Sequence, residues 1–168
     1  MQQVLEVTIR RMTVEDIPAV VAIDRLSFPN PWSERSYTFE LKHNPSSRLF
    51  VAEVCDVDVD QVIGFIGFWF VIDEAHISTL AVHPAYRGYK IGNRLLEVAL
   101  DSARDMGGCL ATLEVRESNQ VALKLYQKYG FLPAGRRKRY YRDNNEDAIV
   151  MTLEDLRAQP GGLTGGLR

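Results

Sequence analysis

Alternating apolar and polar residues mark the short stretches of the chain that are typical of strands with one buried face. Alternation and short apolar runs predict seven strands, at residues 7–10, 49–54, 62–72, 75–82, 110–115, 131–142 and 147–153. An acidic turn at residues 56–60 separates the second strand from the third, and only residues 73 and 74 separate the third from the fourth. Connections this short predict an antiparallel meander.

Apolar residues at helical spacing predict four helices between these strands. Thr13 or Asp16 caps the first, which runs to about residue 26, and Ser33 caps the second, which runs to about residue 42. The third and fourth are predicted at residues 91–106 and 118–129. The order of elements predicts an α+β fold with a mixed, mostly antiparallel sheet of about seven strands flanked by four helices.

Length and composition favour one globular domain. The 168 residues are 46% hydrophobic, enough for a single core. We expect that domain at residues 1–157 and a disordered, glycine-rich tail at 158–168. The 20 Lys and Arg residues against 22 Asp and Glu residues give a net charge of −2. This charge provides no whole-surface attraction to nucleic acid or anionic lipid.

Membrane, secretory and metal-binding functions are not expected. The longest apolar run, residues 62–72, is too short to span a bilayer. The N-terminus lacks a secretory layout, and Cys55 and Cys109 lie far apart, which favours a cytoplasmic location. The three histidines, His43, His76 and His83, are not at ligand spacings, so no metal is predicted.

A loop between an apolar strand and an amphipathic helix is the first candidate site. Backbone N–H groups and the positive end of the helix dipole converge on an anion at such a place. The loop residues predicted to cradle a diphosphate are Arg87, Gly88, Tyr89, Lys90, Ile91, Gly92 and Asn93. On spacing alone, a plain strand-to-helix turn is an equal interpretation.

Residues 80–92 resemble the central motif of the GNAT superfamily of acetyltransferases. That motif reads Q/R-x-x-G-x-G/A just after an A-V-x-P strand end, and Arg87 and Gly92 match it. Lys90 stands in place of the first motif glycine. We expect Lys90 to avoid a strained positive φ, and its ammonium to add a charge beside the phosphates.

Further motifs are similar to the RimI group, which acetylates protein N-termini. Residues 114–131 follow the pattern E-V-R-x-S-N-x-x-A-x-x-L-Y-x-x-x-G-F. Residues 28–33 are similar to that group's F-x-x-P-W-S kink, and residues 140–148 to its Y-Y…E-D-A ending. The resemblance covers roughly residues 6–153 and implies a sheet that is splayed where acetyl-CoA binds.

The resemblance also implies how acetyl-CoA is held. The backbone of Leu80, Ala81 and Val82 is expected to hold the pantetheine arm, and one N–H there to face the oxyanion. Asn119 is expected to hydrogen-bond the coenzyme. An N-cap role for Asn119 is the alternative.

The resemblance implies direct transfer of acetyl to an amine, with Glu114 as base and Tyr126 as acid. An α-amine of pKa about 7.8 is about 14% neutral at pH 7, so a weak base is enough. The alternative for Glu114 is a carboxylate that only pairs with Arg116 or with the substrate ammonium. The alternative for Tyr126 is an aromatic packed in the core.

Phe28, Trp32, Tyr140 and Tyr141 are candidates for the walls of a peptide slot, with a core plug as the alternative for Trp32. The basic run contains Arg136, Arg137, Lys138, Arg139 and Arg142. A solvated strand face is its usual meaning, and attraction of acidic substrate residues is an alternative. Contact with RNA through Arg136, Arg137, Lys138 and Arg139 is a less favoured one.

These observations predict an acetyl-CoA-dependent acetyltransferase acting on a protein N-terminus, with a ribosomal protein that starts with alanine as the favoured partner. A small-molecule amine acetyltransferase, for polyamines or aminoglycosides, is the second hypothesis. The third is a non-catalytic module that senses acyl-CoA or contacts RNA. The sequence carries no prediction of the oligomeric state.

Overall fold

The computed structural model describes residues 5–55 and 60–158 of the chain. Its strands and helices follow the predicted order. They are β1 (Val7–Arg11), α1 (Ile17–Ser27), α2 (Glu34–Lys42), β2 (Ser47–Cys55), β3 (Asp60–Val71), β4 (Glu74–Val82), α3 (Ile91–Asp105), β5 (Leu110–Arg116), α4 (Gln120–Lys128), β6 (Leu132–Tyr141) and β7 (Glu146–Leu153). Short 3-10 turns lie at Val14–Asp16 and Pro84–Tyr86.

Two predicted features fall largely outside the described residues: the acidic turn at 56–60 and the tail at 158–168. The single domain at 1–157 stays a prediction. No helix within residues 5–55 and 60–158 is long and apolar enough to cross a membrane.

The strands form one sheet in the order β1-β2-β3-β4-β5-β7-β6. The pairs β1–β2, β2–β3, β5–β7 and β6–β7 are antiparallel, whereas β4 and β5 are parallel. The mixed, mostly antiparallel sheet is confirmed. The described pairs between β4 and β5 join Glu74–Ile77 to Leu110–Leu113, and the two strands then continue to Val82 and Arg116.

The chain divides into two compact units. Unit 1 comprises the described residues up to 69 together with 78–99, and unit 2 comprises residues 70–77 and those from 100 onward. The core of unit 1 includes the fully buried Val20, Tyr37 and Phe65. In unit 2, Leu113 and Val115 of β5 are buried, while Glu114 between them is half-buried on the other face.

The first helix begins where Asp16 as its cap predicts, and the fourth begins later than predicted. Asp16 is the N-cap residue of α1, which starts at Ile17, and its carboxylate accepts the Thr13 N–H at 2.8 Å and closes the preceding 3-10 turn. The Ser118 N–H donates to Glu146 at 2.7 Å, outside the helix, and α4 begins at Gln120. The predicted Ser33 cap of α2 is confirmed, because its side chain accepts the Ser36 N–H.

Candidate active site

The candidate phosphate loop lies in unit 1, between the end of β4 and the start of α3. Gly88 has a φ of 89°, a conformation that glycine adopts without a steric cost. The Lys90 carbonyl accepts the Arg94 N–H at 3.2 Å, which starts the hydrogen bonding of α3. Lys90 itself is exposed. A helix start next to basic side chains is a chemical environment that suits a diphosphate.

The backbone of Lys90 corrects one expectation. We expected this residue to avoid a positive φ, but its φ is 60°. The loop therefore keeps the left-handed geometry that a glycine would adopt at this position, with a lysine in its place. For an L-residue that geometry costs about 1 kcal/mol or more.

Arg87 folds back on the strand end that precedes it. Its Nε donates to the Val82 carbonyl at 3.1 Å, and its Nη2 contacts the Ser27 hydroxyl at 3.4 Å. Next to this strand end, a side chain at Gly64 would bring a Cβ to 3.0 Å from the Ala81 carbonyl. A glycine at position 64 thus lets β3 lie close to the Leu80–Val82 backbone. The coenzyme roles of these residues stay predictions.

The kink at residues 28–32 connects α1 to α2. Phe28 and Trp32 are partly buried and pack against the core cluster of unit 1. The Trp32 ring stacks on Trp69, with centroids 6.4 Å apart and planes 10° apart. Trp32 is therefore anchored at the core, yet part of it reaches solvent, so its expected role as a slot wall remains a prediction.

Glu114 lies at the centre of an ionic cluster in unit 2. His76 of β4 places Nε2 2.5 Å from Glu114 Oε2, and Arg137 of β6 places Nε 3.4 Å from Oε1. The parallel pairing sets His76 opposite Thr112, two residues before Glu114 on β5. The Glu114 side chain is 11% exposed, so the pair with His76 is shielded from most of the solvent.

The cluster keeps Glu114 ionised. The hydrogen bond from His76 lowers the pKa of the Glu114 carboxyl below its ordinary value, and the nearby charges of His76 and Arg137 add to this effect against burial. Arg116, which we had considered as its partner, instead pairs with Asp143 at 2.8 Å and Glu146 at 3.4 Å. Arg116 reaches these two carboxylates because it lies at the end of β5, beside the turn that follows β6.

Tyr126 and Asn119 occupy the α4 region of unit 2. Tyr126 is buried, and its ring packs edge-on against Phe131 with centroids 5.8 Å apart. Burial raises the pKa of the Tyr126 hydroxyl, so it stays protonated at every working pH. The Asn119 side chain accepts the Ala122 N–H at 3.1 Å and caps α4. The structure thus shows the packing and capping interactions, and the catalytic and coenzyme roles remain predictions.

The two tyrosines at the end of β6 form an edge-on pair, with ring centroids 5.1 Å apart. Tyr140 is 46% exposed. Tyr141 is more buried, and burial raises its pKa to about 12. The Arg116 guanidinium lies 4.0 Å from the Tyr141 ring centroid, which fixes that ring by a cation–π contact.

Part of the basic run is neutralised within the protein. Arg136 pairs with Glu117 at 2.8 Å and with Asp147 at 2.9 Å, and Arg137 pairs with Glu114. These ion pairs fit the interpretation of a solvated strand face. The RNA contact stays an untested prediction.

His76 is the residue that the sequence analysis did not connect with Glu114. It was considered only as a metal ligand, and the described residues contain no cluster of side chains suited to a metal ion. The alternation of β4 puts His76 on the face opposite the buried Ala75 and Ile77. That pattern signals an exposed face, but the partner on β5 depends on a register between strands that are far apart in sequence.

Comparison with known proteins identifies the family. The model of the acetyltransferase (GNAT) family matches residues 17–131. The chain belongs to the GNAT acetyltransferase family. The family and the enzyme class that the motifs predict are thereby confirmed, and the chain is a GNAT-type N-acetyltransferase.

Two curated relatives carry a more specific name. The chain is 39% identical over 143 residues to the putative ribosomal protein bS18-alanine N-acetyltransferase of Bacillus subtilis (strain 168), covering 85% of this chain and 92% of the relative. It is 33% identical over 157 residues to the ribosomal protein bS18-alanine N-acetyltransferase of Escherichia coli (strain K12), and this match covers 87% of this chain and 96% of the relative.

A solved structure supports the same assignment of the fold. The crystal structure of the ribosomal-protein-S18-alanine N-acetyltransferase from Escherichia coli is similar to this chain with a TM-score of 0.78 at 32% identity. The match covers 88% of this chain and 93% of that chain.

Proposed function

We propose that the protein transfers the acetyl group of acetyl-CoA to the α-amine of a protein, with a ribosomal protein that starts with alanine as its substrate. The names of the two curated relatives support this proposal, because the similarity extends over nearly their whole length. Cytoplasmic location is part of the proposal, since the protein would there meet ribosomal proteins.

The observation that carries the proposal is the ionised Glu114 carboxylate held by His76 at 2.5 Å. A carboxylate with a lowered pKa is a weak base. A weak base suits an α-amine, because neutralising an amine of pKa about 7.8 at pH 7 costs about 1.1 kcal/mol. A lysine amine of pKa about 10.4 would cost about 4.6 kcal/mol. The site therefore favours an N-terminal amine over a lysine side chain.

The proton steps balance as follows. The substrate ammonium gives a proton to Glu114, directly or through a water, and the contact with His76 holds the carboxylate in position. The neutral amine forms the new C–N bond at the thioester carbon. As the intermediate collapses, the nitrogen gives its extra proton to water, and Glu114 then releases its own proton to solvent. As the C–S bond breaks, the hydroxyl of Tyr126 protonates the departing thiolate. Its pKa, raised by burial, means that this proton is always present and must be returned by solvent.

The loop of unit 1 has the residues that the donor requires. Exposed basic residues Arg87 and Lys90 precede the start of α3, where N–H groups meet a diphosphate. The backbone of Leu80–Val82 would hold the pantetheine arm. Acetyl-CoA then supplies the activated acyl group, and no metal is required for this transfer.

The acceptor side of the proposal involves Phe28, Trp32, Tyr140 and Tyr141 as walls of a slot for the peptide. The experiment that tests the function is kinetic: kcat/KM is measured for Ala-start peptides of decreasing length and for spermidine. An N-terminal acetyltransferase should lose kcat/KM when the peptide is shortened beyond its second residue. Preference for spermidine over every peptide would refute the proposal in favour of a polyamine enzyme.

A further inference from the structure

Asp24 is a buried carboxylate that neither the acyl transfer nor the coenzyme uses. It lies on α1, and only 2% of the residue is exposed. Burial raises the pKa of its carboxyl, because the ionised form is poorly solvated there. A buried charge of this kind is costly unless its hydrogen bonds are satisfied. The partners of Asp24 therefore indicate what it does.

All the described partners of the carboxylate concern the kink at residues 28–32 or the helix that follows. Asp24 Oδ2 accepts the Trp32 N–H at 3.1 Å and the Tyr37 hydroxyl at 2.6 Å. The Asp24 carbonyl accepts the Phe28 N–H at 2.9 Å. The Phe28 bond is the backbone bond that ends α1, whereas the carboxylate fixes the far end of the kink, at Trp32, to that helix.

The sequence of the kink makes these two bonds important. Pro29 and Pro31 have no N–H, so the backbone donors of this segment are those of Phe28, Asn30 and Trp32. Two of these three donors bind Asp24. The prolines restrict the backbone of the kink, and the Asp24 carboxylate fixes the position of its Trp32 end.

The same network reaches β4. The fully buried Tyr37 side chain also interacts with the Thr79 side chain of β4, which acts to lower the pKa of the Tyr37 hydroxyl against the larger effect of burial. Thr79 directly precedes Leu80, where the proposed pantetheine contact begins. Two hydrogen bonds and the contact between Tyr37 and Thr79 therefore join the kink, within unit 1, to the strand segment proposed to hold the coenzyme.

We propose that Asp24 is a positioning residue for the acceptor slot, acting through the Trp32 backbone and the Tyr37 hydroxyl to fix the Phe28–Trp32 wall against β4. This inference rests on the proposed function, since it assigns the kink to the peptide. It adds a residue remote from the reacting atoms that determines peptide KM.

The test replaces Asp24 and Tyr37 by apolar residues of similar size. The double variant Asp24→Leu/Tyr37→Phe removes the acceptor and the hydroxyl together, and replacing a buried polar set by apolar residues often leaves stability intact. The loss of one or two hydrogen bonds should raise peptide KM roughly tenfold. The Kd for acetyl-CoA should stay within about twofold of the wild-type value. Asp24→Asn keeps one acceptor oxygen, which can face the Trp32 N–H and the Tyr37 hydroxyl when the amide is turned, so peptide KM should return to near the wild-type value.

A matched control separates positioning from stability. Val20→Ala shortens a fully buried side chain on the same helix, outside the network, so it should lower Tm without raising peptide KM. An equal rise of KM in this control would overturn the proposal, as would an unchanged KM in the folded double variant.

A readout without substrates keeps the inference separate from the function. In a Trp69→Phe background Trp32 is the remaining one of the two tryptophans of the chain. Acrylamide should quench the fluorescence of Trp32 more strongly in the double variant, and Val20→Ala should leave the quenching unchanged. If no peptide is acetylated, the proposed function fails, but the quenching still reports whether Asp24 holds Trp32 in place. Unchanged quenching in the double variant would refute this role of Asp24.

Discussion

Lys90 offers a quantitative test of the coenzyme loop, because it combines a strained backbone with a positive charge. Its φ of 60° is a left-handed conformation, which costs an L-residue about 1–2 kcal/mol. Glycine removes that cost but adds about 0.4–1 kcal/mol of unfolded-state entropy. Lys90→Gly should therefore stabilise the fold by about 0.5–1 kcal/mol, which raises Tm by about 1–4 °C for a chain of this size.

The charge of Lys90 has a separate, opposite effect on the coenzyme. Lys90 is exposed, so its ammonium can contribute only what an exposed ion pair contributes. Losing it should raise the Kd for acetyl-CoA about two- to fivefold and reduce the dependence of that Kd on salt. Lys90→Ala is the matched control, since it removes the same charge and keeps the strained backbone.

Calorimetric titration and thermal melting of the three proteins measure both effects. We expect the two variants to bind acetyl-CoA equally weakly, and only Lys90→Gly to melt higher than the wild type. A Tm of Lys90→Gly at or below that of Lys90→Ala would refute the strain argument. An unchanged Kd and salt dependence in both variants would remove Lys90 from the phosphate site.

Three further outcomes follow from the ionic cluster and Tyr126. Glu114→Gln should lower kcat at neutral pH and leave coenzyme affinity nearly intact; unchanged turnover would remove Glu114 from the base role. Tyr126→Phe should also lower kcat, whereas a purely structural tyrosine would show a lower Tm with a normal rate. The lowered pKa of Glu114 keeps it ionised at working pH. The acidic limb of kcat/KM should therefore follow the acceptor amine, near pH 7.8, and shift down for a peptide that starts with a fluorinated, less basic alanine. A limb that stays fixed would place the titrating group on the enzyme.

The elements of the fold could be predicted because their signals are local. Ser33 caps α2 as its sequence position indicated, and Gly107, with a φ of 87°, lies two residues after the end of α3. The one late helix start is also local: the Ser118 N–H donates to Glu146 outside the helix, and Asn119 caps α4, which begins at Gln120. Family motifs then indicated Glu114 and Tyr126 as candidates.

The interactions around these candidates could not be predicted, because they depend on contacts between distant segments. His76 reaches Glu114 through a parallel register across 38 positions of sequence. In the sequence Arg137 is one member of a charged run, and only the pairing of β6 with β7 brings it beside the same carboxylate. Lys90 adopts the positive φ that a glycine would have at this motif position, although a lysine disfavours that conformation. The conformation of the surrounding loop imposes this φ.

The central claim is that this protein acetylates the α-amine of a peptide starting with alanine. The most direct measurement is tandem mass spectrometry of an Ala-start peptide that also contains an internal lysine, after incubation with acetyl-CoA and the wild-type protein. The account predicts one added acetyl group on the N-terminal residue, and none when the N-terminus is blocked in advance. Acetylation of the lysine instead, or no acetylation while acetyl-CoA binding is intact, would contradict it.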